Sequence, residues 1–410
     1  MIKKLKAKDD AIKNLIIFFV ITGAVGLATG LYDTVFGNYL KEVYDVTTTQ
    51  RGLIEGPREL PGLLCLFIIS GLAFLGDIRI GIFAQILSVI GITVLGLFTL
   101  PFAAMLVFLF LMSSGQHIYM PLTDSIFIEL NPDENKIGKR MGQYKSIYTA
   151  FTLIAAAIAF VGFRSGFLSF DTEIKWIFII AAVFFAIAAA MLLVLTKRRK
   201  EKIIERKFSL NLDKDYRYYY ILAAVHGAQK QVMLVFGPWV MIKILQKQTD
   251  TIALLTIIGS FVGIFFLRAL GKWIDKFGIK KLLYVDALSF IVVYFLYGLM
   301  AWGLNSNVLP YVGWPVFIVG FLFVLDRTSM NMGMVRVLYL KSIAKKPEDI
   351  TSSLSTGISL DHFITIGFAA VAGIVWDKIG PQYVFFCTAL LSFINVYIAG
   401  KVKIPLNQDK

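Results

Sequence analysis

Two cysteines in 410 residues, Cys65 and Cys387, leave no room for a disulfide framework. Both fall inside apolar runs in opposite halves of the chain, where a small sulfur-bearing side chain packs like any other hydrophobe. Charge is scarce too: Asp, Glu, Lys and Arg make up 17% of the residues, against about 25% in ordinary soluble domains. There are only three histidines. No Cys/His set has the spacing of a metal site, and neither a phosphate-cradling glycine loop nor a nucleophile–base pattern is present. ATP-driven transport, membrane-embedded hydrolysis and a resident metal or cofactor therefore find no footing in the residues.

The chain is instead apolar, 57% hydrophobic with a mean hydropathy of +0.73, which excludes an ordinary soluble domain. The class it fits is an all-α polytopic membrane protein. A membrane-crossing helix needs about 20 apolar residues. That ruler divides the chain into twelve spans near 13–40, 50–75, 80–99, 102–129, 141–164, 174–196, 217–244, 250–274, 280–303, 309–341, 351–376 and 382–402. The basic start of the chain imitates a secretory signal, but its apolar run is longer than a signal core and has no clear cleavage site, so it reads as an uncleaved first span. The expected organisation is a six-helix bundle over 1–196, a basic linker over 197–216 and a second six-helix bundle over 217–410.

Orientation follows from the basic residues. Lys3, Lys4, Lys6, Lys8, Arg79, Lys136, Lys139, Arg140, the run 197–207, the run 272–281, Lys345, Lys346, Lys401 and Lys403 fall on one side. The positive-inside rule makes that side cytoplasmic, giving a multi-pass cell-membrane protein with both termini inside. A formal charge of +14 is explained in this way, so nucleic acid is not an expected partner. Membrane lipid is, both around the spans and along the linker, which reads equally as an amphipathic surface segment or a solvated connector.

Residues 271–281 read Gly-Lys-Trp-Ile-Asp-Lys-Phe-Gly-Ile-Lys-Lys between two apolar runs. Gly271, Asp275, Lys276, Gly278, Lys280 and Lys281 meet every position of a glycine, aspartate, basic, glycine, basic signature, and the loop resembles that of the major facilitator superfamily. The resemblance implies twelve helices in two pseudo-symmetric six-helix bundles, with spans one, four, seven and ten lining a central cavity. It also implies that Asp275 belongs to a conformational latch on the cytoplasmic side, with glycines permitting close helix approach and the carboxylate favouring a helix N-terminus. Internal repeats agree: Val35-Phe36-Gly37 recurs as Val235-Phe236-Gly237, and Asp275 finds a counterpart in Asp77, beside Arg79, at a similar offset. Gly373, Asp377, Lys378 and Gly380 repeat the same spacing about three spans later, as an inverted repeat would.

Ionisable groups inside spans are costly and are candidates for function by default. Glu59, Lys230 and Asp361 come out near mid-membrane at about 1.5 Å per residue. In span seven His226, Gln229, Lys230 and Met233 follow helical spacing and share a face, and a cavity-lining role makes that face a substrate surface. Pairing of Lys230 with a buried carboxylate is the alternative reading. Span four offers Gln116, His117 and Asp124; span ten offers Asp326, Arg327, Asn331 and Arg336, with His117 and Arg327 at matching repeat positions. Lys230, His226, Gln229, Arg327, His117, Gln116, Asp326 and Asn331 are the expected substrate-binding residues. Glu59, Glu55, Asp361, His362, Asp33 and Asp124 are the candidates for proton coupling. Glu55 and Arg58 are close enough along a helix to neutralise each other, and one of the neighbours Asp361 and His362 serves a helix interface. All three histidines lie within spans, which favours proton coupling because imidazole titrates near neutrality.

Subfamily marks are absent. Proton-coupled drug antiporters carry an arginine about twelve residues before a proline in span four, where Leu109 stands ahead of Pro121, and a Gly-Pro-x-x-Gly-Gly run in span five, where this chain has 155–162 without proline. The sugar-porter pattern is also missing from the linker. The expectation is a monomeric secondary active transporter working by alternating access, coupled to protons or sodium. Its small organic substrate is anionic or zwitterionic, since the candidate cavity residues are net basic. An exporter of amphipathic drugs or lipids, and a transport-inactive receptor or scaffold, are the competing readings.

Overall fold

The computed structural model describes residues 2–130, 137–198, 212–402 and 404, and these are overwhelmingly helical. In chain order the helices are α1 (Ile2–Tyr44), α2 (Thr48–Gly71), α3 (Asp77–Leu97), α4 (Phe102–Leu130), α5 (Ile137–Arg164) and α6 (Trp176–Arg198). Then comes α7, which starts as Arg217–Gln231 and continues to Ile244 through two π-helical turns, Val232–Phe236 and Val240–Ile244. The long helical stretch Thr249–Asn305 is broken at Gly278, whose φ of 77° is non-helical, so it is two helices, α8 (249–277) and α9 (279–305). The last three are α10 (Trp314–Ile343, with a 3₁₀ turn at Met330–Met332), α11 (Pro347–Lys378) and α12 (Pro381–Lys401).

Among the described residues nine helices are long and apolar enough to cross a membrane, and one of those nine is the α8–α9 pair. The two that complete the expected twelve, α2 and α7, fall short for different reasons. The first half of α2 carries Arg51, Glu55, Arg58 and Glu59, whereas the regular α-helical part of α7 is only 15 residues long before its π-helical turns begin. Pro57 and Pro61 lie inside α2, which runs through both without interruption. Of the expected linker, 199–211 lies outside the described residues, as does Lys136.

The chain divides into two compact units, residues 1–43 with 64–208 and residues 44–63 with 209–410. The boundary therefore runs through α2, whose charged half belongs with the second unit. Glycines show how each unit closes. In the first, a Cβ on Gly30 would stand 2.8 Å from atoms of Thr152 and Ala155, so α1 lies directly on the small-residue face of α5. In the second, a Cβ on Gly52 would stand 2.2 Å from the Ala369 carbonyl oxygen, and one on Gly373 2.6 Å from that of Thr48. Contact this close between α2 and α11 is open only to glycine.

Three turns share a left-handed glycine, Gly76 (φ 82°), Gly278 (φ 77°) and Gly380 (φ 145°), each immediately before the next helix. This corrects one register. Asp275 and Asp377 both lie three residues before their glycine, whereas Asp77 lies one residue after Gly76. Asp77 is thus the first residue of α3, buried, accepting a hydrogen bond from Ser125. The counterpart of Asp275 in the first half is position 73, an alanine. The glycine, forced by backbone sterics, marks the true repeat.

Gly52→Ala is expected to lower the thermal midpoint of the detergent-solubilised protein, at a cost of about 1–3 kcal/mol from overpacking. Gly271→Ala, where a Cβ would meet nothing within 4 Å, is the control and should leave the midpoint unchanged. Equal effects at the two positions would show that α2 and α11 are not in this contact.

Candidate functional site

Charged residues in the first half of α2 repeat at i, i+4, i+7 and i+8 and so share one face. Arg51 Nη1 lies 2.5 Å from Glu55 Oε1, and Arg58 Nη2 lies 2.6 Å from Glu55 Oε2 and 2.7 Å from Glu59 Oε1. From α7, Gln231 donates to Glu55 at 3.4 Å, and Lys230 Nζ donates to Glu59 Oε2 at 3.2 Å. The same lysine donates to Asp361 Oδ2 on α11 at 2.9 Å. Two imidazoles complete the group: His226 Nδ1 lies 2.8 Å from Asp361 Oδ1 and His362 Nδ1 lies 2.8 Å from Glu59 Oε2. Each ring must carry its hydrogen on Nδ1 to donate to the carboxylate, which leaves Nε2 as the acceptor of any further proton.

The cluster is buried: Glu55 is 0% exposed and Glu59 3%, and the Lys230 and Asp361 side chains retain 16% and 14%. It is also balanced. Arg51, Arg58 and Lys230 supply three positive charges and Glu55, Glu59 and Asp361 three negative ones, so with neutral imidazoles the formal sum is zero. Ion pairs this deep are held by geometry rather than by surplus stability, since desolvation offsets most of their attraction. Removing one partner therefore matters far more than the pair's own worth.

The structure thus brings together Lys230, His226, Glu59, Glu55, Asp361 and His362, and joins Arg58, Arg51 and Gln231 to them. Arg51 and Gln231 are new; Arg51 was visible as the i−4 neighbour of Glu55. Asp361 and His362 point apart, as neighbours on a helix must: Asp361 pairs with Lys230 and His226, while His362 reaches Glu59, the other carboxylate partner of Lys230. Gln229 leaves the expected face. Its side chain is fully buried and donates to Ser392 Oγ on α12 at 2.9 Å, because i and i+3 positions diverge enough to serve two neighbours. Met233 lies outside the described side chains.

The remaining candidates make other contacts. On α10, Arg327 packs on α8 against Gly259, with its guanidinium 5.4 Å over the Phe323 ring, and Asn331 reaches Gly263. Arg336 pairs with Asp286 at 3.5 Å. Asp326 is buried beside Tyr294. In the first unit, His117 Nδ1 lies 3.1 Å from Ser113 Oγ, Gln116 donates to Thr29 at 3.5 Å, and Asp33 is exposed on α1. Asp124 makes a half-exposed contact with Lys145 at 3.7 Å.

Of the three turns, that of Asp377 caps the N-terminus of another helix. Its Oδ2 accepts from the Thr49 backbone N–H at 2.7 Å, capping the start of α2, and Lys243 approaches at 3.7 Å. In the turn at 271–281, Asp275 is exposed, Lys276 lies 5.2 Å over the Phe277 ring, and Lys280 donates to the Gly400 and Val402 carbonyls at the end of α12. Outside the spans, the Asp213 carboxyl is held below its ordinary range by the Asp215 backbone N–H, and Lys345 is raised by its pairing with Asp215.

A family model described as Major Facilitator Superfamily matches residues 18–347. No curated protein matches the sequence. Among solved structures, a POT family transporter in complex with a thioalcohol-conjugated peptide aligns with a TM-score of 0.75 at 12% identity, over 95% of this chain and 97% of its own. The nucleoside transporter NupG gives 0.71 at 13% identity, over 94% and 98%. A D-xylose–proton symporter gives 0.70 at 16% identity, over 97% and 98%. At these identities the likeness is one of fold.

Lys230→Met is expected to destabilise the protein by about 3–5 kcal/mol, because it leaves Glu59 and Asp361 without their shared cation. Adding Asp361→Asn should restore part of that loss. A thermal-denaturation double-mutant cycle reads the coupling, and strictly additive effects would contradict the bridge.

Proposed function

The chain belongs to the major facilitator superfamily of membrane transporters, and from that premise we propose that it is a secondary active transporter coupled to protons, carrying a small anionic or zwitterionic solute by alternating access. The observation that carries this reading is Lys230, held between Glu59 and Asp361 with an imidazole on each carboxylate. In a balanced buried cluster an anion arriving alone leaves an uncompensated charge, which a low-dielectric interior penalises heavily. An anion arriving with a proton does not. The two are thereby linked: each raises the affinity for the other. A solute carboxylate competing for Lys230 frees Glu59 or Asp361 to take the proton, directly or from His226 or His362.

The same contacts give the cycle its moving part. The charged half of α2 is tied to α7 and α11 by this cluster and by the Asp377 cap, so opening the side on which α2 begins requires breaking them. Protonation of Glu59 or Asp361 removes the attraction and permits the release. In this reading the halves 1–196 and 217–410 rock as bundles about the linker 197–216, with both termini cytoplasmic, the protein acting as a monomer, and the turn at Asp275 latching the cytoplasmic side.

A second reading, export of amphipathic drugs or lipids, has one observation in its favour. An apolar cavity of about 750 Å³ lies between α8, α9 and α10, lined by side chains such as Leu254, Ile258, Phe317 and Phe321 that are themselves exposed. Competition by an amphipathic dye separates the two readings.

The test is uptake by proteoliposomes of a labelled panel of carboxylates, amino acids, peptides, nucleosides and sugars, with and without an imposed proton gradient. Gradient-driven accumulation of an anionic or zwitterionic solute is expected, with at least about a tenfold loss in Lys230→Ala, as for removal of a buried charge partner. Asp361→Asn should retain solute exchange while losing gradient-driven accumulation. Unchanged transport in both Lys230→Ala and Arg327→Ala, or accumulation driven equally by sodium alone, would overturn the proposal.

A further inference from the structure

Asp326 takes no part in the Lys230 cluster. It lies on α10, is 1% exposed, and among the described residues no basic side chain comes within ion-pair distance of it. The adjacent Arg327 turns toward α8 and Phe323. Among the described residues, the hydrogen-bond partner of Asp326 is the Tyr294 hydroxyl on α9, 3.1 Å from Oδ1. That hydroxyl also lies 3.1 Å from the backbone carbonyl oxygen of Gln229 on α7. A phenol has a single hydrogen and can donate to only one of two acceptors.

The Gln229 carbonyl already accepts from the Val232 backbone N–H, so the Tyr294 O–H is available to Asp326. An ionised Asp326 is then a buried carboxylate with one hydrogen bond and, among the described residues, no cation within ion-pair distance, a costly state in an apolar interior. A protonated Asp326 removes that charge, and its O–H donates to the Tyr294 oxygen while the Tyr294 O–H turns to the Gln229 carbonyl. One turn further along α9, the Tyr297 hydroxyl is fully buried and has no hydrogen-bond partner, and Gln229 Oε1 is in the same condition. Asp286 and Arg336 pair with each other, and the Arg327 guanidinium, though outside ion-pair distance, attracts the Asp326 carboxylate. From α8, Leu255, Gly259 and Gly263 approach α10, and none of the three brings a titratable group.

We propose that Asp326 is a second proton-binding site, separate from the Lys230 cluster, which holds its proton in this conformation and gives it up when water reaches the Tyr294 and Tyr297 hydroxyls. Release is the simple dissociation of the carboxylic acid to carboxylate and a hydrated proton, and needs no co-reactant. The site stands or falls independently of the substrate reading above.

Infrared difference spectra of the protein in liposomes, taken between neutral and alkaline pH without any solute, test this directly. A protonated-carboxyl C=O band is expected in the wild type at neutral pH, absent in Asp326→Asn, shifted in Tyr294→Phe and retained in Asp361→Asn. Because asparagine replaces a neutral group of the same size, Asp326→Asn should elute and melt like the wild type. A band that persists unchanged in Asp326→Asn overturns the proposal. So does a band that vanishes on adding sodium at constant pH, which would make the site one for a metal cation. Should Asp326→Asn not fold, an unshifted band in Tyr294→Phe overturns it as well.

Discussion

An ammonium group at the middle of a membrane helix is the constraint from which the second unit is built. Lys230 is largely buried, and its charge is compensated by Glu59 and Asp361 at 3.2 Å and 2.9 Å. Those two carboxylates come from α2 and α11, so the three helices must meet at this depth. Glu59 in turn needs Arg58, and Arg58 shares Glu55 with Arg51. Each charge is justified by the next, and the set closes at zero net charge.

Backbone geometry makes that meeting possible. Gly52 and Gly373 let α2 and α11 approach to backbone contact, and the Asp377 carboxylate holds the first turn of α2 against the end of α11. The π-helical turns that follow Gln231 sit beside the cluster residues of α7. Such turns shift the register of the helix face, a device that recurs where function needs side chains off the regular 3.6-residue repeat. The charged half of α2 is consequently part of the cluster itself, supplying Arg51, Glu55, Arg58 and Glu59.

The spans were legible because apolar runs of membrane length rarely occur outside a bilayer, and the depth of Glu59, Lys230 and Asp361 could be counted from helix ends. Their partnership was not. The contacts join residues 171 and 131 positions apart, and no periodicity within one helix carries that information. Gln229 was placed with Lys230 because the spacing allows it, and Ser392, on a helix far along the chain, takes it elsewhere. Asp77 was matched to Asp275 by residue type, while the conformational signal lay in Gly76. Asp326 looked like a cavity residue by composition, and only its surroundings show an acid bonded to a tyrosine with no ion-pair partner among the described residues.

A neutral cluster that takes up solute and proton together must draw protons from solution as it binds. The most direct measurement is the pH change of a weakly buffered, detergent-solubilised sample on addition of the first solute found by the uptake panel. Uptake of about one proton per anion bound is expected from linkage, with the ratio falling toward zero in Asp361→Asn. Binding of the same solute with no proton taken up by the wild-type protein would contradict the coupling.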